Sequence, residues 1–193
     1  MIKVFSLKAF YKIILTLFVI LGVCISIFIL SNLYLKKVVY PLQYKEQVFK
    51  YADNYGLDRA LVFSVIKTES SFDKNAISSA GAIGLMQITN STAKYIAENL
   101  GEKDFELTDP ETNIKFGCYY LKYLYYRFSD METALVAYNA GEGNVIKWLK
   151  DKNFSDDGKR LKNIPFKESR EYITKIKENA KKYNKLYNKI LDK

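Results

Sequence analysis

Residues 61–69 read Leu61-Val62-Phe63-Ser64-Val65-Ile66-Lys67-Thr68-Glu69, an apolar run that ends on a carboxylate. Asp58 stands ahead of it as a good N-cap, so the run reads as a helix carrying Leu61, Val65 and Ile66 toward Glu69. A carboxylate at the end of a buried helix can have its pKa raised by loss of water, which a general acid at neutral pH needs. The chain has no histidine. Histidine triads and histidine-ligated metals are therefore excluded, and acid–base chemistry falls to carboxylates. Taken singly, Glu69 beside Ser70 and Ser71 reads as a solvated or capping residue.

Outward from this helix, apolar residues recur at helical spacing nearly everywhere. Val48, Tyr51, Ala52 and Tyr55 form one face of a helix ended by Gly56. Ser91 reads as the cap of a helix through Ala93, Ile96, Ala97 and Leu100. Asp109-Pro110 is a cap and first turn for a long helix with Ile114, Gly117, Leu121 and Leu124 on one stripe. Two short helices, Glu132 to Tyr138 and Asn144 to Leu149, flank a turn from Asn139 to Gly143. Pro165 marks the start of the last helix, where Ile173, Ile176, Ala180, Tyr183, Tyr187 and Ile190 step by three and four. Few segments alternate as strands do. The fold class is all-α, with about seven helices in one domain over 41–193.

Ahead of that domain, Ile13 to Leu35 runs without a charge between Lys12 and Lys36-Lys37. As a helix it is about 34 Å long, enough to span a hydrocarbon core of about 30 Å. No small-residue cleavage site follows the run, and Leu21-Gly22-Val23-Cys24 is a loose match to a lipoprotein signal. The expectation is an uncleaved anchor at 13–35, with lipidation of Cys24 the minor alternative. A short N-terminus at 1–12 precedes it and a tether at 36–40 follows. Lys3, Lys8 and Lys12 with the terminal amine face Lys36, Lys37 and Lys45, a slight bias to a cytoplasmic N-terminus and an exterior domain.

After residue 35 stand 27 basic and 21 acidic residues, a net charge of +6 that suits an anionic surface or polymer. No phosphate loop, zinc spacing or RNA-binding signature accompanies the charge, so no nucleic-acid partner is expected. Cys24 lies in the apolar span and Cys118 in a helical run, so they form no disulfide framework.

Four of the nine glycines, Gly81, Gly84, Gly141 and Gly143, bracket two further phrases. Gly84-Leu85-Met86-Gln87-Ile88 is one and Ala137-Tyr138-Asn139-Ala140-Gly141 the other. Glycines let backbone turn sharply or approach a ligand closely. Amides and hydroxyls beside aromatic and thioether surfaces suit a sugar-binding cleft better than a phosphate or metal site. Each of Met86, Tyr138 and Tyr172, taken singly, is as compatible with core packing.

With these phrases in order, the chain resembles the catalytic domain of the soluble lytic transglycosylases, a goose-type-lysozyme-like α-fold. The match comprises Glu69-Ser70, Asn75-Ala76 through Ser78, Gly81 through Ile88, Ser91-Thr92-Ala93, Ala137 through Gly141, and Ile164-Pro165-Phe166 through Tyr172. It covers about residues 41–190. The resemblance implies that Glu69 is the single catalytic acid and base and that Ser70 contacts substrate beside it. It implies that Met86 and Gln87 line the cleft, that Tyr138 and Asn139 bind the N-acetyl region and support Glu69, and that Tyr172 hydrogen-bonds the Glu69 carboxylate. It further implies peptidoglycan glycan strands as substrate and no metal or cofactor. Ser71, where Gly or Asn is common, Arg59, where Pro is common, and Thr89-Asn90, where Met-Pro often follows, depart from the pattern.

Having one carboxylate distinguishes the implied mechanism from that of most glycosidases, which place two acids across the bond. A muramidase of the same fold, with Asp73 or Asp109 positioning water, is the alternative within enzymes. A non-catalytic wall-binding domain is the alternative outside them. Cell-wall, secretion or division partners are not identified by the sequence.

Overall fold

The computed structural model describes residues 7–191. Residues 1–6, including Lys3 and the first part of the expected N-terminal segment, and residues 192–193 lie outside the described residues. The chain divides into two compact units, residues 1–42 and 43–193.

In the first unit, α1 (Leu7–Tyr34) buries none of its residues. Its best window has a mean hydropathy of 3.2, long and apolar enough to cross a membrane. Its polar side chains bond within the helix: Thr16 to the Lys12 carbonyl, Ser26 to Gly22, and Asn32 to Phe28. Such back-bonding satisfies polar groups where no water is at hand. The helix starts ahead of Ile13 and continues as a π-helical turn, Leu35–Val39, so the expected tether is coiled.

The second unit contains α2 (Lys45–Tyr55), α3 (Arg59–Ser70), the strands β1 (Ala82–Ile83) and β2 (Ile88–Thr89), and α4 (Asn90–Leu100). There follow α5 (Pro110–Phe128), α6 (Met131–Ala140), α7 (Glu142–Leu149) and α8 (Lys167–Leu191). Local chemistry sets the helix starts. Asp58, Asp109 and Asp130 each accept a hydrogen bond from the amide three residues on, at 2.7–2.8 Å, and Pro110 occupies the first turn of α5. Three expected boundaries need correction, the first being the Asn139-to-Gly143 turn, which shrinks to Gly141 because α6 runs on through Ala140 and α7 starts at Glu142. Thr89, not Ser91, caps α4, because the Thr89 hydroxyl takes the Thr92 amide. The last helix begins at Lys167, two residues beyond Pro165.

α3 and α8 form the most extensive helix pair. Phe63 stacks on Tyr183 with centroids 5.3 Å apart, and Asn179 donates to the Thr68 hydroxyl across the same seam. α5 packs on both α2 and α6, and α6 on α7 and α8. Val62, Phe63, Val65 and Ile66 are fully buried at the centre, each contributing about 1.5–3 kcal/mol of hydrophobic stabilisation. The small β1–β2 hairpin, absent from the sequence expectation, pairs Ala82 with Thr89 and Ile83 with Ile88.

Candidate active site

α3 delivers Glu69 in its last turn, and the chain then reverses through two left-handed residues, Ser71 (φ 50) and Phe72 (φ 69). Side chains without glycine's freedom hold such angles only under constraint. The Phe72 ring is buried against Phe63, which supplies one. The turn leaves Glu69 at the protein's edge with its carboxyl half-buried.

α8 brings Tyr172 to the same place, and its hydroxyl donates to Glu69 Oε1 at 2.7 Å. Oε2 receives no hydrogen bond from the described residues. Burial is the largest influence on Glu69 and raises its pKa from 4.5 to about 7, the Tyr172 bond opposes this, and the charge of Glu168 adds to it. The carboxyl is therefore about half protonated at neutrality and protonated below it, with one oxygen held and the other available. Tyr138 and Tyr172 both have pKa values far above the ordinary phenol range, from burial first and then from the neighbouring Glu69.

The Gly84–Gln87 turn is built from afar. Gly84 has φ 81, and a Cβ there would collide with Asn113 and the Leu107 carbonyl, so only glycine fits. Asn113, buried on α5, accepts from the Met86 amide at 2.7 Å and donates to the carbonyls of Ile83 and Leu107 at 2.9 and 2.8 Å. Ser70 donates to the Leu85 carbonyl at 2.9 Å, tying the turn to the residue beside Glu69. Tyr138 donates to the Met86 carbonyl at 2.7 Å from the other side.

Burial revises one implied role. Met86 is fully buried and lies against Gly117, where a Cβ would strike its side chain. It is a core residue and not a cleft wall, because α5 covers it. Ser70 gives its hydroxyl hydrogen to the turn and leaves its oxygen able to accept. A cavity of about 320 Å³ is lined by Gln87, Thr92, Tyr120, Tyr138, Asn139 and Gly141, among others. Gln87 has φ 51 and donates its amide to the carbonyls of Ala76 and Gly84. A second cavity of about 250 Å³ shares Thr92 and Tyr120 with the first and adds Tyr95, Tyr123 and Glu142. The two make an aromatic groove, and Tyr138 links its wall to the surroundings of Glu69.

The rival aspartates are engaged elsewhere. Asp73 accepts from the Asn75 amide at 2.9 Å in its own loop. Asp109 holds both the amide and hydroxyl of Thr112.

The sequence profile of the transglycosylase SLT domain matches residues 46–161, most of the second unit. The chain belongs to this family. A soluble lytic murein transglycosylase of Salmonella typhimurium is 32% identical over 143 residues, 71% of this chain and 22% of the relative. A membrane-bound lytic murein transglycosylase C of Edwardsiella ictaluri is 30% identical over 174 residues, 75% of this chain and 47% of the relative. The chain thus spans less than half the length of these relatives. Among solved structures, an inactive mutant of the lytic transglycosylase Slt from Pseudomonas aeruginosa superposes with a TM-score of 0.67 at 32% identity. That match covers 76% of this chain and 24% of the other.

Family membership gives one departure a physical meaning. The left-handed Ser71 occupies a position where glycine or asparagine adopts that angle more easily. Three residues of the site were not singled out from the sequence: Asn113, Tyr120 and Ser169. Asn113 had a faint signal as a polar residue beside the apolar stripe of α5. Ser169, inside a matched phrase, donates to Asn139 Oδ1 at 2.7 Å.

Proposed function

We propose that this chain is a membrane-anchored lytic transglycosylase of peptidoglycan, cleaving the β-1,4 bond from N-acetylmuramic acid to N-acetylglucosamine. The observation that carries the reading is Glu69: a single carboxyl raised to about 7, with Tyr172 on one oxygen, while Glu142, the other carboxylate lining the groove, is tied to Arg127 and Tyr123.

Glu69 gives its proton to the glycosidic oxygen as the C1–O bond breaks. The positive charge at C1 is stabilised by the substrate's own 2-acetamido oxygen. Glu69, now ionised and held by the Tyr172 hydroxyl, takes the proton of the muramic C6 hydroxyl, whose oxygen closes on C1. A 1,6-anhydro ring forms, and Glu69 ends protonated as it began. One residue serves as acid and base in turn, which is why the engagement of Asp73 and Asp109 favours this reading over a muramidase. The tyrosine-lined groove supplies faces for sugar rings, and the net positive charge suits an anionic wall.

Residues 13–35 serve as the anchor, and the weak lysine bias supports a cytoplasmic N-terminus with the catalytic unit facing the wall. Digestion of sacculi in oxygen-18 water tests the chemistry. A transglycosylase places no label in its products; labelled reducing ends would identify a hydrolase. Protease added to spheroplasts tests the orientation: removal of the second unit is expected, and its full protection would reverse the topology.

A further inference from the structure

α6 presents Asn139 in its last turn to the wall of the larger cavity. Behind it, the Ser169 hydroxyl donates to Asn139 Oδ1 at 2.7 Å. Ser169 is 1% exposed, and this is the one hydrogen bond its side chain makes among the described residues. Asn139 Nδ2 makes none to the described residues, and the residue lines the cavity.

An asparagine amide is nearly isosteric under a half-turn that exchanges its donor and acceptor ends. With Asn139 turned round, Nδ2 would point at Ser169 and the buried hydroxyl proton would have no acceptor. A buried donor without a partner is costly. The recorded orientation satisfies Ser169 and leaves two N–H donors for the cleft.

We propose that Ser169 is a positioning residue that fixes Asn139 as a hydrogen-bond donor toward an acceptor oxygen of the bound sugar, the acetamido carbonyl of an N-acetyl hexosamine being the class that fits. This rests on the glycan-cleaving reading above and adds a polarity to its binding site. Ser169 touches no substrate itself. Its effect belongs in binding, and the proton transfers of Glu69 should not feel it.

The test is titration calorimetry of full-length protein in detergent, carrying Glu69→Gln to prevent turnover, with the β-1,4-linked tetramer of N-acetylglucosamine as probe. Ser169→Ala is expected to weaken binding about 5–20-fold, and Ser169→Thr to restore it within about twofold. Placed on Asn139→Ala, Ser169→Ala should add less than about a twofold loss, since the two act as one unit. In the active enzyme the loss should fall on KM, with the alkaline limb of the pH profile unmoved. Asn139→Asp is the second variant: it keeps an acceptor for Ser169 but offers the cleft no donor, so it too should bind weakly. Wild-type affinity in Ser169→Ala or in Asn139→Asp would overturn the proposal, as would independent losses that multiply. Absence of any tetramer binding overturns it together with the assigned cleft. Sacculus cleavage by the wild type, scored separately, reports on the proposed reaction alone.

Discussion

Glu69 and Tyr172 form the smallest unit that accounts for the chemistry, and their coupling has a sign that can be measured. Burial holds the Glu69 proton up to about pH 7, so kcat/KM should be level on the acid side and fall above about 7. No acid limb from a second carboxylate is expected, whereas a two-acid hydrolase gives a bell. The Tyr172 bond favours the ionised form and lowers the Glu69 pKa. Tyr172→Phe should therefore move the alkaline limb to higher pH, and an unmoved limb would mean that the bond does not tune Glu69. Stability follows the same linkage with opposite consequence. The unfolded carboxyl ionises near 4.5 while the folded one holds its proton to about 7. The folded state thus loses stability between these values and carries a full cost of roughly 3 kcal/mol above them. Glu69→Gln removes that cost. It should raise the melting temperature at pH 9 and leave it nearly unchanged at pH 4, while lowering activity about a thousandfold.

At the scale of elements, the hairpin and the Gly84–Gln87 turn depend on one side chain of α5. Asn113 makes three hydrogen bonds to three different segments. Asn113→Ala should cost about 2–4 kcal/mol, measured by urea unfolding. A loss below about 1 kcal/mol would show that the turn holds itself. The reversal after Glu69 offers a stabilising change: Ser71→Asn should add about 0.5 kcal/mol by easing the left-handed angle. These cases separate what was legible in the sequence from what was not. Helices and their aspartate caps are written locally, in periodicity and in residues three apart, so Asp58, Asp109 and their helices could be read directly. Thr89 outcompeted Ser91 as a cap because both hydroxyls suit the task and only backbone geometry chooses. The two-residue strands carry no periodic signal, and Asn113, which bonds Ile83 and Met86, lies 30 and 27 residues from them. Met86 misled for a related reason: a thioether next to a glycine turn reads as a cleft surface until the helix that covers it, through Gly117, is placed. Glu69, Tyr138, Asn139 and Tyr172 were legible only because separate phrases occurred in a family's order.

For the whole molecule, the chain divides into two compact units at residues 42–43. The core residues Val62, Phe63 and Ile66, with Tyr183, all lie in the second unit, and none of the residues of α1 is buried. A protein lacking residues 1–42 should be soluble without detergent, melt within a few degrees of the full chain and cleave isolated sacculi at a similar rate. Loss of folding on truncation would show that the first unit supplies part of the core. In cells the same truncation should release the enzyme from the membrane fraction. The central claim is that one carboxylate, using the substrate's own hydroxyl, performs the whole reaction. Mass spectrometry of muropeptides released from purified sacculi by the wild-type protein and by Glu69→Gln tests it most directly. The account predicts disaccharide products one water lighter than their hydrolysed counterparts, ending in 1,6-anhydromuramic acid, and almost none from Glu69→Gln. Reducing muramic ends from the wild type, or undiminished anhydro products from Glu69→Gln, would contradict it.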